Sequence, residues 1–227
     1  MQYNIFGGNL PAVTITFNAG ESIFTQSGGL SWMTQNIEMQ TNMRGGFMKG
    51  LGRMFAGESL FMATYTALCD GEEITLGASL PGTIRVFEIS PGKEYIAQKQ
   101  AFLCATSGVE LSACLTKRLG SGLFGGEGFI LQKFAGQGLV FAELDGTVVE
   151  YELKAGQIMK VDTGNVAAFE STVSYSVEMV KGFKNILFGG EGLFLTTLQG
   201  PGKIWLQTMT ASDLASRVIP FMPSPSN

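Results

Sequence analysis

Phe124-Gly125-Gly126-Glu127-Gly128 stands again, 64 residues on, as Phe188-Gly189-Gly190-Glu191-Gly192, and a looser version, Phe55-Ala56-Gly57-Glu58-Ser59, precedes both. Other landmarks keep the same spacing. Gly136-Gln137-Gly138 returns as Gly200-Pro201-Gly202, and Pro91-Gly92-Lys93 returns as Ala155-Gly156-Gln157. An earlier member of that second series, Ala19-Gly20-Glu21, stands 72 residues before Pro91-Gly92-Lys93 because the first copy is a few residues longer. A fixed period across several short motifs is the mark of tandem repetition, and it decides the fold before any single segment is read. The motifs place an N-terminal strand in residues 1–18, β-modules in 19–90, 91–154 and 155–210, and a C-terminal helix with a mobile tail in 211–227.

Within each copy, apolar and polar residues alternate as half-buried strands require: Phe129 and Leu131 against Gln132, or Ile204 and Leu206 around Trp205. Glycines mark the turns, where tight hairpins need a positive φ that β-branched neighbours cannot reach. Leu10-Pro11-Ala12, Leu80-Pro81-Gly82 and Leu144-Asp145-Gly146 each precede an apolar strand that ends at the next Ala-Gly or Pro-Gly turn. The third copy has no such strand after it and the chain starts with one, Val13 to Phe17, so the first strand is expected to close what the last copy leaves open. One helix is predicted, over Asp213 to Ile219, opened by a capping arrangement of Thr210 and Asp213 and stopped by Pro220. The fold class is all-β, with three tandem β-sandwich or double-stranded β-helix-like modules and one short C-terminal helix.

Composition agrees with many short strands joined by tight turns: 31 glycines and only 15% charged residues in 227. Fifteen Lys and Arg against 19 Asp and Glu make the chain mildly acidic, so any site for an anionic partner must be local. Cys69, Cys104 and Cys114 are odd in number, widely spaced and set in apolar runs, which reads as small core residues in a reducing compartment. Met1 to Leu10 carries neither a basic start nor an apolar run, and no 18-residue apolar stretch occurs, so a cytoplasmic location is expected.

The sequence contains no histidine. Ser-His-Asp and Cys-His catalysis and histidine-ligated metal sites are therefore excluded, and carboxylate chemistry is what remains. Gly120, Gly122 and Gly125 match a dinucleotide fingerprint, yet a strand rather than a helix is predicted after them. Ser90 and Lys93 match a Ser-x-x-Lys pattern, but Pro91-Gly92 makes that stretch a turn. The chain is read as a non-enzyme with no cofactor and no metal.

Two recurring features ask for a role. Glu58, Glu127 and Glu191 occupy the same place in each copy, where a carboxylate can accept backbone N–H groups of a glycine turn or, alternatively, contact a ligand. Just before them lie Arg44, Lys49 and Arg53, then Lys117 and Arg118, then Lys181 and Lys184, seven of the 15 basic residues in three equivalent segments. Either these are solvated loop charges beside an oligomer contact, or they form a cationic rim for a lipid surface or a nucleic-acid backbone.

Gly45-Gly46-Phe47-Met48-Lys49-Gly50-Leu51-Gly52-Arg53-Met54-Phe55-Ala56-Gly57-Glu58-Ser59, Leu80-Pro81-Gly82, Phe188-Gly189-Gly190-Glu191-Gly192 and the ending Ile219-Pro220-Phe221-Met222-Pro223 resemble bacterial relatives of the altered-inheritance-of-mitochondria (mitochondrial biogenesis) family over essentially the whole chain. The resemblance implies three modules, each like a subunit of the trp RNA-binding attenuation protein, with three chains forming a ring-like homotrimer. It also implies partners to consider: self, an anionic membrane surface in a scaffold or membrane-proximal role, and RNA or a small ligand by analogy with the attenuation protein. That protein's basic RNA-binding pattern has no residue-by-residue match here, and fold likeness alone does not carry function.

Overall fold

The computed structural model describes residues 1–26, 28–42, 62–115, 130–179 and 194–222. Gly20, Gly92 and Gly156 hold φ at +80°, +81° and +77°, so the turn that starts each series has one geometry in all three copies. Its closure is repeated as well: Asn18 N–H donates to the Glu21 carboxylate at 2.8 Å, and Lys154 N–H to the Gln157 amide oxygen at 3.0 Å. Ser90 and Lys93 bond each other through their backbones across Pro91-Gly92, the turn expected from those residues.

The chain is all-β with a short C-terminal helix. A leading strand β1 (Gln2–Phe6) is followed by β2 (Ala12–Phe17), β3 (Ser22–Gln26), β4 (Leu30–Met33), β5 (Ile37–Asn42), β6 (Met62–Ala67) and β7 (Glu72–Gly77). The same six recur as β8 (Gly82–Ile89), β9 (Tyr95–Gln98), β10 (Phe102–Thr106), β11 (Val109–Leu115), β12 (Ile130–Gly136) and β13 (Gly138–Asp145). They recur again as β14 (Val148–Leu153), β15 (Ile158–Asp162), β16 (Val166–Glu170), β17 (Ser174–Met179), β18 (Phe194–Gln199) and β19 (Gly202–Gln207).

Pairing repeats with the strands. Each set forms two antiparallel trios, β2-β7-β4 and β3-β6-β5 in the first, and their counterparts in the others. The register is conserved: Ile23, Tyr65 and Met39 lie abreast, as do Tyr95, Phe134 and Leu111, and Met159, Leu198 and Tyr175. Even an irregularity recurs, because the register slips between Leu30 and Trp32, between Phe102 and Cys104, and between Val166 and Ala168. Strand β2 lies beside β7 as β8 lies beside β13 and β14 beside β19. The first strand therefore does not close the last copy, as its position in the chain suggested; β14 already fills that place.

Trios of successive sets then join edge to edge. Strand β3 pairs with β10 and β9 with β16, which makes two six-stranded sheets, β5-β6-β3-β10-β13-β8 and β11-β12-β9-β16-β19-β14. A four-stranded sheet, β1-β2-β7-β4, and a three-stranded one, β15-β18-β17, remain at the two ends. Three apolar layers separate these four sheets. The first holds Val13, Ile15, Phe17, Ile74 and Leu76 against Cys104 and Phe141. A second, with Phe102, Val140 and Ala142 against Phe134, Ala168 and Trp205, lies between the six-stranded sheets, and a third joins Phe169 and Ile204 to Val161 and Leu198.

Burial on both faces corrects the half-buried reading of two strands. In β12, Leu131 faces the third layer and Phe134 the second, so Gln132 is buried rather than exposed. In β19, Ile204 and Trp205 are both buried, on opposite faces. Helix α1 (Ala211–Val218) starts two residues earlier than predicted because Thr210 itself is the cap, its hydroxyl accepting Asp213 N–H at 3.0 Å. A 3-10 turn at Ile219–Phe221 carries Pro220, and residues 223–227 of the tail lie outside the described residues.

Candidate functional site

Trp32 and Met33, on β4, are 60% and 38% exposed, although each stands where the other two copies are fully buried: Cys104 and Ala105 in β10, Ala168 and Phe169 in β16. The difference comes from a missing neighbour. Strand β10 is covered by β3 and β16 by β9, but β4 has β7 on one side and, among the described residues, no strand on the other. At the far end of the chain β15, the counterpart of β3 and β9, has β18 on one side and, among the described residues, no strand on the other, and its Ile158 is exposed. Unpaired edges carry a row of free backbone donors and acceptors, which is a template for another strand.

A carboxylate holds β4 in place without its neighbour. Glu72, at the start of β7, accepts hydrogen bonds from the Thr34 hydroxyl, from Asn36 Nδ2 at 3.0 Å and N–H at 3.1 Å, and from the Cys69 thiol at 3.2 Å. Thr34 first, then Asn36 and Cys69, hold its pKa down to about 2. Because the folded value lies below the unfolded one of about 4.3, the stabilisation is complete above pH ~4.3 and fades as pH falls through about 2. Glu72→Gln is thus expected to unfold at lower urea concentration than the parent at pH 7, with the gap closing near pH 2. Equal midpoints at pH 7 would show that the carboxylate holds nothing.

The two seams inside the chain differ in how they are filled. At β9-β16, Gln98 Nε2 donates to the carbonyls of Gly164 and Val166 at 2.9 and 2.7 Å, and Gln207 bridges Gly164 O and Asp145 N–H at 3.1 Å each. At β3-β10, the place of Gln207 is taken by Glu143, beside a cavity of about 460 Å³ that Asp145, Ser79, Gln26 and Phe102 also line. Burial pushes the pKa of both carboxyls up; Ser79 N–H, donating to Glu143 at 2.5 Å, acts the other way. Ser79 Oγ donates to Glu143 at 3.3 Å.

The residues singled out in the sequence for a role are not among those described. Arg44, Lys49, Arg53 and Glu58 lie outside the described residues, as do Lys117, Arg118 and Glu127, and Lys181, Lys184 and Glu191. What is described is where each segment departs: Asn42 pairs with Met62, Leu115 with Ile130 and Met179 with Phe194, the same hairpin end in all three copies. Of the cysteines, Cys104 is buried and Cys114 half-buried, but Cys69 is exposed, since its turn lies at the rim and its thiol serves Glu72. Among the described residues no cluster of three His, Cys, Asp or Glu could hold a metal ion, and no helix is long and apolar enough to cross a membrane. Pairing, which the sequence does not record, reveals the open edges; the sequence signal at the β4 edge is a tryptophan in a short uncharged strand.

Comparison with known proteins adds the following. Residues 3–209 match the family model described as Mitochondrial biogenesis AIM24. An uncharacterized protein of Streptococcus pyogenes serotype M6 is 29% identical over 226 residues, covering 96% of this chain and 89% of that one. A crystal structure of a Streptococcus pyogenes protein from a structural genomics consortium superimposes with a TM-score of 0.77 at 25% identity, over 97% of this chain and 99% of the other.

Proposed function

The chain belongs to the Mitochondrial biogenesis AIM24 family, and from that premise and the open edges of its sheets we propose that it is a non-enzymatic protein that works as a closed ring of its own copies, three chains to a ring. The observation that carries this reading is the division of the sheets. Two six-stranded sheets are each built from a trio of one set and a trio of the next, while β2-β7-β4 and β15-β18-β17 are separate trios at opposite ends of the chain that match the two halves of such a sheet. A contact that joins the tail edge of one copy to the head edge of the next is heterologous, and such contacts either close into rings or run on as filaments. The number three rests on the family resemblance.

Light scattering of the purified protein at micromolar concentration tests the reading. A mass of about 73 kDa, three times the 24.3 kDa chain, is expected. A single-chain mass that persists at high concentration would remove the proposal, and a mass growing without limit with concentration would replace the ring by a filament.

A further inference from the structure

We infer that the ring's seam is a third copy of the two seams inside the chain, with β15 of one chain antiparallel to β4 of the next and Val161 opposite the partner's Trp32, Lys160 opposite the partner's Met33, and Met159 opposite the partner's Thr34. This rests on the reading that the chain self-assembles and adds which residues meet.

The register follows from the repeats. At the first internal seam Thr25 lies opposite Cys104, Phe24 opposite Ala105 and Ile23 opposite Thr106. At the second, Ala97 lies opposite Ala168, Ile96 opposite Phe169 and Tyr95 opposite Glu170. Strand β15 is tied to these strands through its pairing with β18, which puts Met159 at the place of Ile23 and Tyr95. Strand β4 is tied to β10 and β16 by the shared slip in register, which puts Trp32 at the place of Cys104 and Ala168. A shift of one residue would turn every side chain to the opposite face, and a shift of two would break the correspondence with both internal seams.

The faces agree with that register. Cys104 points into the layer shared with the preceding sheet, and so does Ala168. By the same rule Trp32 points toward the preceding sheet of the combined stack, which is the partner's second six-stranded sheet, and Val161 already lies in the apolar layer against that sheet. Trp32 therefore covers the open flank of the partner's third layer, where cross-strand neighbours share a face. One residue departs from the pattern: Lys160 stands where Phe24 and Ile96 are buried. A lysine on a free edge deters indiscriminate strand pairing, and its long stem can lie along Met33 with the ammonium at the rim.

Cysteine pairs read the register directly. Residues directly opposite in an antiparallel pair are within disulfide reach, and neighbouring pairs alternate in geometry, so two adjacent pairs are made. In a background with Cys69→Ser and Cys114→Ser, one variant carries Met33→Cys with Lys160→Cys, which keeps Trp32, and another carries Trp32→Cys with Val161→Cys. Mild oxidation is expected to link chains covalently in at least one of them, seen on non-reducing gels. Met33→Cys with Ile158→Cys, two positions out of register, is expected to stay unlinked. Light scattering before oxidation separates the failures. A ring-sized particle in which neither in-register pair links, or in which the shifted pair links instead, overturns this seam and leaves assembly standing. A single-chain mass of the Met33→Cys, Lys160→Cys variant, which keeps Trp32, overturns both, and a disulfide formed within one chain overturns the seam by showing that β15 closes on its own β4.

Discussion

Trp32→Glu is expected to reduce the particle from about 73 kDa to the 24.3 kDa of one chain, while leaving the circular dichroism of the strands unchanged. The indole is 60% exposed in the single chain, so that chain loses little when it is removed. In the seam the same side chain would be enclosed, as Cys104 and Ala168 are. Truncating an enclosed aromatic anchor costs about 2 kcal/mol or more, roughly 30-fold in a dissociation constant, and an unpaired carboxylate in its place adds a desolvation penalty. Each ring has this loss at every seam. Val149→Glu is the control, because Val149 is also exposed, on β14, an edge strand to which the seam assigns no partner. Its mass should stay at three chains, and a ring that survived Trp32→Glu unchanged would count against the β4 edge as the site of contact.

The repeat was legible in the sequence because it is written in glycines whose conformation no other residue supplies cheaply, Gly20, Gly92 and Gly156 above all. Strand existence followed from alternation and turn spacing. Which edges meet did not, since a strand's sequence records how its faces are buried and says little about its lateral neighbour. Thr25 and Phe24 give no sign that Cys104 and Ala105 lie beside them. Nor does a polar residue announce an exposed face when a strand lies between two apolar layers, as Gln132 does. The functional reading from sequence leaned on charge, and charge is conspicuous in composition. The edge at Leu30–Met33 is four residues long and carries no charge, so it offered nothing to a reading based on charged motifs.

Phe141→Ala is expected to cost about 3–5 kcal/mol, the loss of a fully enclosed aromatic side chain together with the void it leaves. Phe141 has no exposed surface, sits in the layer between the four-stranded sheet and the first six-stranded one, and meets the Tyr3 ring edge to face at 5.1 Å. A domain of this size holds about 5–15 kcal/mol in all, so the variant should melt roughly 6–20 °C lower. Phe221→Ala removes the same side chain from a site that is 88% exposed and should shift melting by less than about 2 °C. The comparison is cleanest in the Trp32→Glu background. There the chain melts alone, and mass action from the ring, which raises apparent stability with concentration, no longer masks the loss. Should the intact ring show the smaller drop of the two backgrounds, the difference would measure how much of the chain's stability its own copies supply.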